Sequence, residues 1–432
     1  MDAKTKDNWL PFRRRAPRNA GLLRTSLAAR VLLGLAGFAL ISAVATVYCA
    51  SGYLKPEVSE KVLRKAEAYH LDGVDLYKRG KYRAALRKFS AAERACPELF
   101  SAGYHVALAH RAMGNEAAAI AQLKKVNNRF PENVIAHNDL GVIFASKNDG
   151  QSNKLAVVEF GVAARNGENL LRGNEKMIPQ VRVDLAMVYA NFGALQLKSS
   201  KLTAAEKSFR KAIGHYPLAF FGHFGLGNVL FAMNRFKEAK TAYRKAQQME
   251  PNNDSVHIAL AKCYLLAADK NPRFALAELR KVKDDNLPAE VFDLFGDAYA
   301  LAGDSEKAVA SYTHYLGLPP HSPQVLYKLG VLCYNQGDRK GAKEYLEEFV
   351  AEAPEGQQGL LSTACKLLGD MASEEKDYEK AVASYLRGSK LRDAYLSCYY
   401  GLADSYFHLQ QYEKAKEYLL LVLKSLPISG SA

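Results

Sequence analysis

No CxxC pair and no Cys/His spacing of the kind that holds zinc occurs in the chain, so its six cysteines form neither a metal motif nor a redox motif. Cys49 falls in an apolar run, which leaves Cys96, Cys263, Cys333, Cys365 and Cys398, an odd number that cannot all pair. Buried, reduced thiols are the expectation. A GxxxxGK phosphate loop, an HExxH pair and a GxSxG elbow are also missing, and with them the sequence signs of nucleotide, zinc-protease and serine-hydrolase chemistry. No Lys/Arg run with interleaved aromatics is present, so nucleic acid is not an expected partner. The basic excess is local. Residues 1–30 carry eight Lys or Arg and two Asp, net +6, which leaves +8 of the total +14 for the other 402 residues.

What is present begins with Val31 to Ala50, twenty residues without a charge. At 1.5 Å per residue they span about 30 Å as a helix, the thickness of a bilayer's hydrocarbon. A cleaved signal peptide is the rival reading, but the run is longer than the 7–15 residues usual for one, and thirty residues precede it. The expectation is an uncleaved transmembrane anchor at 31–50 behind a basic cytoplasmic tail at 1–30, with a connector and helix start at 51–65. Eight basic residues before the run outnumber Lys55, Lys61, Arg64 and Lys65 after it, which places the N-terminus in the cytoplasm and the remainder on the outer side.

From Ala66 onward the sequence repeats with a period near 34 residues. Gly73, Gly80, Tyr82, Ala85, Phe89, Ala92 and Pro97 recur with the same offsets as Gly227, Asn234, Phe236, Ala239, Tyr243, Ala246 and Pro251. Further copies carry Leu140-Gly141, Phe192-Gly193, Phe295-Gly296, Leu329-Gly330 and Leu368-Gly369. This resembles the tetratricopeptide repeat family, whose pattern runs W-x2-L-G-x2-Y, then A-x3-F, then P. The resemblance implies an all-α fold, a right-handed α-solenoid of about ten helix-turn-helix repeats over 66–429. In each repeat a small residue lets two helices approach, an aromatic fills the gap, and a proline stops the second helix. Copies begin near Ala66, Phe100, Val134, Ala186, Phe220, Asp254, Ala289, Pro323, Ser362 and Leu396. Two spacings are long: an insertion at 165–185, read either as a surface loop or as part of a binding face, and five extra residues at Gln357–Leu361 that lengthen a helix. Cys365 and Cys398 are 33 residues apart, about one repeat, so they can meet on neighbouring helices; whether they pair stays open.

No catalytic residue, metal site or cofactor is expected. His137, His223 and His257 share one slot in three repeats, but the intervening copy has Tyr189, so they read as packed imidazoles rather than ligands. Glu347/Glu348 and Glu374/Glu375 are adjacent in sequence and point apart. Some family members grip an acidic peptide with a clamp of Lys, Asn and Arg. The nearest fragment here is Lys366 with Asp370, an acid where the clamp needs Asn.

The stretch Leu218 to Phe231 holds more aromatics than one buried face accepts. Phe221, Phe224, Asn228 and Phe231, at intervals of 3, 4 and 3, form a second stripe, which in this family lines the concave groove. Met187 and Leu197 extend it on one side, Ile258 and Leu265 on the other; beyond them Glu290, Asp293 and Asp297 make an acidic segment. An apolar segment flanked by Lys or Arg fits that face. At the C-terminus no polar cap is evident. The run Tyr418 to Leu423 is expected to pack Leu419 and Val422 and to leave Leu420, Leu421 and Leu423 open, as an association surface for a second copy or a membrane partner. The functional expectation is a membrane-anchored, non-enzymatic scaffold that binds a protein or peptide segment. The alternatives are a protein resembling the mitochondrial outer-membrane import receptors, with cytosolic repeats, and a regulatory or assembly subunit of a membrane enzyme complex.

Overall fold

A computed structural model describes residues 59–425 apart from 174–177, 284–286, 319–321, 354–355 and 392–394. The expectations for the basic tail, the anchor at 31–50 and all but the end of the connector lie outside these residues. Among the described residues no helix is long and apolar enough to cross a membrane.

Every described element is a helix, and helices pair in sequence order. The chain divides at Ala219/Phe220 into two compact units. The first pairs α1 (Glu60–Lys78) with α2 (Tyr82–Ala95), α3 (Phe100–Ala112) with α4 (Glu116–Arg129), α5 (Val134–Ser146) with α6 (Gly150–Gly173), and α7 (Ile178–Lys198) with α8 (Leu202–His215). The second pairs α9 (Phe220–Ala232) with α10 (Phe236–Met249), α11 (Asp254–Leu266) with α12 (Pro272–Leu279), and α13 (Ala289–Leu301) with α14 (Ser305–Leu316). It continues with α15 (Pro323–Gln336) and α16 (Arg339–Glu352), α17 (Gln358–Glu374) and α18 (Tyr378–Ser389), and α19 (Tyr395–His408) and α20 (Tyr412–Ser425). Each unit is a stack of helical hairpins, as the repeat implies.

The hairpins close on a missing side chain. A Cβ placed on Gly73 would lie 2.6 Å from the ring of Phe89, and one on Gly227 would lie 2.5 Å from Tyr243. Gly193 meets Phe209, Gly296 meets Tyr312 and Gly369 meets Tyr385 in the same way. The two helices of a pair therefore approach as closely as backbone and ring allow. Turns repeat as well: Gly80, Gly114, Asn234 and Gly303 all adopt positive φ, where glycine and asparagine cost least. The carbonyls of the stop prolines tie one repeat to the next. Arg129 on α4 donates to Pro97 at 2.9 Å, and Asn166 on α6 donates to Pro131 at 2.8 Å.

The described residues of the insertion at 165–185 are helical rather than a loop. Apart from 174–177 its residues lengthen α6 to 24 residues and α7 to 21, and Gly167 gives room for Leu185, whose Cδ2 would sit 2.6 Å from a Cβ there. The extra residues before Ser362 lengthen α17 to 17 residues, as expected.

Between α1 and α3 the core contains two histidines. His105 Nδ1 lies 2.7 Å from the Ser101 carbonyl, to which it donates, and 3.2 Å from His70 Nε2. Burial, then the neighbouring His105, pushes His70 down to about 3; burial pushes His105 down to about 4 against the Ser101 hydrogen bond. Both rings are neutral in the folded chain at pH 7. Below pH 6.5 the unfolded chain takes up protons that the folded chain refuses, so stability is lost as pH falls from 6.5 toward 4. By linkage the loss at pH 5 is at most about 2 kcal/mol per histidine. Thermal unfolding of the His70→Leu chain should fall less steeply between pH 6.5 and 5 than that of the wild type. Parallel curves would show that the pair does not titrate on unfolding.

Candidate partner-binding face

The residues expected to face a partner lie on first helices of their hairpins: α7 in the first unit, and α9, α11 and α13 in the second. On α9 the surplus phenylalanines divide. Phe224 is 6% exposed, stacks on Phe220 at 5.6 Å and leans on Tyr243 at 5.7 Å, so it belongs to the hairpin's interior. Phe221 and Phe231 are half-buried, each edge-on to a neighbour, Phe220 and Phe236, at 5.3 Å. Asn228 accepts a hydrogen bond from the Tyr243 hydroxyl at 2.8 Å, which gives it a structural task. On α11, Ile258 is half-buried and Leu265 buried. Met187 and Leu197 are half-buried on α7, in the first unit.

The acidic segment is paired across repeats. Lys328 on α15 reaches Asp293 at 2.7 Å and Asp297 at 2.8 Å on α13, and Lys262 on α11 pairs with Glu290. Asp297 also accepts from the Tyr312 hydroxyl at 2.7 Å, as Asp370 does from Tyr385 at 2.7 Å. Burial pushes the Asp293 carboxyl up, and Lys328 opposes it. Burial works against the Lys328 ammonium, but Asp297 and Asp293 together hold it above its ordinary value. Successive first helices thus present a ladder of alternating charge where the sequence alone suggested an anionic patch. The signal for part of it was in the sequence: an Asn or Asp directly after the close-packed glycine, with a tyrosine fifteen residues on.

The slot histidines are structural. In both His137 and His257, Nδ1 lies 2.7 Å from a glutamate, Glu159 or Glu278, while Nε2 faces the carbonyl of Pro131 at 3.2 Å or Pro251 at 2.9 Å. Asn127 on α4 and Gln247 on α10 also reach Nδ1, at 3.1 and 3.3 Å, so each ring joins three helices, while His223 is buried. Among the described residues no group of three or more His, Cys, Asp and Glu is arranged to hold a metal ion. The five described cysteines are free and buried; burial pushes Cys263 up to about 12 and Cys398 up to about 11. Cys365 and Cys398 flank Gly388, where an added Cβ would be 3.2 Å from Cys365 Cβ and 3.0 Å from Cys398 Sγ.

On α20, Leu420 and Leu423 are 47% and 62% exposed, but Leu421 is half-buried and Leu419 is 45% exposed. The helix is turned relative to the pattern-based expectation. Ala415, Tyr418 and Val422 form its inner stripe, with Tyr418 stacked on Tyr406 at 5.7 Å, and Leu419 falls outside it.

Removing the central cation of the ladder should be costly. Lys328→Met keeps the apolar stem and leaves Asp293 and Asp297 partly desolvated without their partner, which should lower the unfolding free energy by about 2 kcal/mol. Denaturant titration measures it, and a change under about 0.5 kcal/mol, the scale of an exposed pair, would show that the ladder is solvated and idle.

Models of known families match four stretches. A tetratricopeptide repeat-like domain covers residues 184–330, and tetratricopeptide repeats cover 101–133, 324–356 and 396–425. The chain is 24% identical over 302 residues to the human protein O-mannosyl-transferase TMTC3, a match covering 69% of this chain and 27% of that protein. It is 22% identical over 156 residues to the Bos taurus BBSome complex member BBS4, covering 36% of this chain and 29% of that one. It therefore spans less than a third of either relative. Among solved structures, the APC/C hetero-tetramer Cut9-Hcn1 is similar at 15% identity and a TM-score of 0.42, over 89% of this chain and 86% of that one. With family matches over more than half its length and hairpins throughout its described part, the chain belongs to the tetratricopeptide repeat proteins.

Proposed function

We propose that this protein is a non-catalytic interaction scaffold, held at a membrane by Val31 to Ala50 with its N-terminus in the cytoplasm and its repeats on the other side. Its repeats receive an extended or helical protein segment along the first-helix faces. The observation that carries the reading is the composition of that face in the second unit. Half-buried Phe221, Phe231 and Ile258 are followed by the paired charges of Lys262, Glu290, Asp293, Asp297 and Lys328. Aromatic rings held partly open by a rigid backbone are efficient anchors, because little side-chain freedom remains to be lost on binding. With two lysines against three carboxylates, the ladder is nearly balanced and offers polar complementarity with only a slight preference for a basic segment. The charge-free run at 31–50 and the basic residues before it support the membrane placement.

Photo-crosslinking tests this directly. A benzophenone side chain introduced at Phe221, Phe231 or Ile258, one at a time, should capture the same partner in intact membranes, while one at exposed Lys245 on α10 should not. Equal capture from Lys245, or none from the three first-helix positions, would contradict the reading.

A further inference from the structure

The last hairpin, α19–α20, aligns without a gap on α9–α10, and the two differ in what covers them. Tyr400 holds the place of Phe224 and Leu419 that of Tyr243, yet Tyr400 is 65% exposed where Phe224 is buried, and Leu419 is exposed where Tyr243 is 2% exposed. In the α9–α10 hairpin this face meets the next repeat. Arg244 donates to the Tyr264 hydroxyl at 2.7 Å, Gln247 donates to Glu278 at 3.0 Å, and Lys240 lies 3.7 Å from Asp269 and over the Tyr264 ring. The matching positions on α20 are Leu420, Leu423 and Lys416. Two polar groups that reach into a neighbouring repeat have become leucines. The stacking face is thus more apolar where it is open than where it is covered.

From this geometry we infer that the α19–α20 face pairs with the same face of a second copy of this chain, hairpin over hairpin around a two-fold axis parallel to the helices. Two features of the face select a second copy. One is charge. Asp404 on α19 occupies the position of Asp297, which takes Lys328 from the next repeat; here it is half-exposed, and among the described residues its ion-pair partner is the exposed His408, 3.8 Å away across a helical turn. Lys416, exposed on α20, lies six residues to the other side of the hairpin turn at Gln410, as Asp404 lies six before it. With α19 of one copy over α20 of its partner and the turns at the same end, each Asp404 meets a Lys416 at the same height. In that register Phe407 faces Tyr412, Tyr400 faces Leu419 and Leu420, and Leu396 faces Leu423, each pair matched to within one residue in its distance from the turn. An isologous face of this kind is complementary to itself.

The other feature is area. Leu396, Tyr400, Phe407, Tyr412 and the three leucines of α20 together expose on the order of 700 Å² of side chain, close to the ~800 Å² per partner of a standard interface. A two-fold contact is also closed, so it consumes the apolar face without propagating into a fibre.

The test uses the full chain in detergent, with its mass measured by sedimentation or light scattering. The wild type should be a dimer, and Leu420→Glu with Leu423→Glu should be a monomer of unchanged helix content. Asp404→Lys alone and Lys416→Asp alone should each weaken the dimer about tenfold or more, and the two together should restore it, because the pair is merely exchanged across the axis. A monomeric wild type overturns the proposal. So does a dimer that survives the two glutamates, which would place association elsewhere, including the apolar segment at 31–50. Charge exchanges whose effects simply add overturn the two-fold register. None of these outcomes depends on which segment binds the first-helix face, so the two readings fail separately.

Discussion

Six of the ten hairpins rest on one close approach: a glycine of the first helix lies against the side chain of a residue sixteen positions later on the second. A Cβ on Gly73, Gly227 or Gly369 would come within 2.6 Å of the facing ring, nearer than carbon atoms pack. Because nothing projects there, the ring lies flat against backbone, and the helices sit close enough for the rest of the hairpin to mesh. The hydroxyl of a tyrosine at that position then reaches the residue after the glycine, Asn228, Asp297 or Asp370, at 2.7–2.8 Å. One absent methyl group therefore fixes both the packing of a repeat and the place of its polar contact on the first-helix face.

From that contact the stack builds outward by a small set of repeated ties. Proline carbonyls left after the second helix stops accept from Arg129, Asn166, His137 and His257 of the following repeat, so the group that ends one hairpin also receives the next. Asp297, already held by Tyr312, is in position to take Lys328. The face offered to a partner is a by-product of these structural bonds, which is why its charges arrive already partnered and its aromatics are half-sunk. Phe221 and Phe231 are held from one side and open on the other.

The hairpins were legible in the sequence because glycine, aromatic and proline recur at fixed offsets, and each has a single mechanical task. The pairing of charges was not. Asp293 and Lys328 are 35 residues apart, and whether they meet depends on the rotation of one hairpin on the next, which no local pattern encodes. Phe224 was misassigned to the open stripe for a similar reason: helical spacing gives its direction, but only the stacked Phe220 and Tyr243 decide that the direction is inward. In the α6–α7 pair, inserted residues that the repeat spacing left as a loop or a binding face extend both helices, and Gly167 packs against Leu185, a long-range contact the spacing does not encode. On α20, Leu419 occupies the aromatic position opposite Ala403 instead of a glycine; packing against its own repeat was expected to bury it, yet it is exposed.

The central claim is that the glycine and the ring are one interaction, and a double-mutant cycle on Gly296 and Tyr312 measures it. Gly296→Ala alone should cost about 1–3 kcal/mol, because its Cβ overlaps the Tyr312 ring. Once Tyr312→Ala has emptied that space the same methyl group should cost nothing, so the double variant is predicted to be no less stable than Tyr312→Ala. Denaturant unfolding of the four proteins gives the coupling energy. Additive losses would mean that the glycine is required for some other reason and would contradict the account.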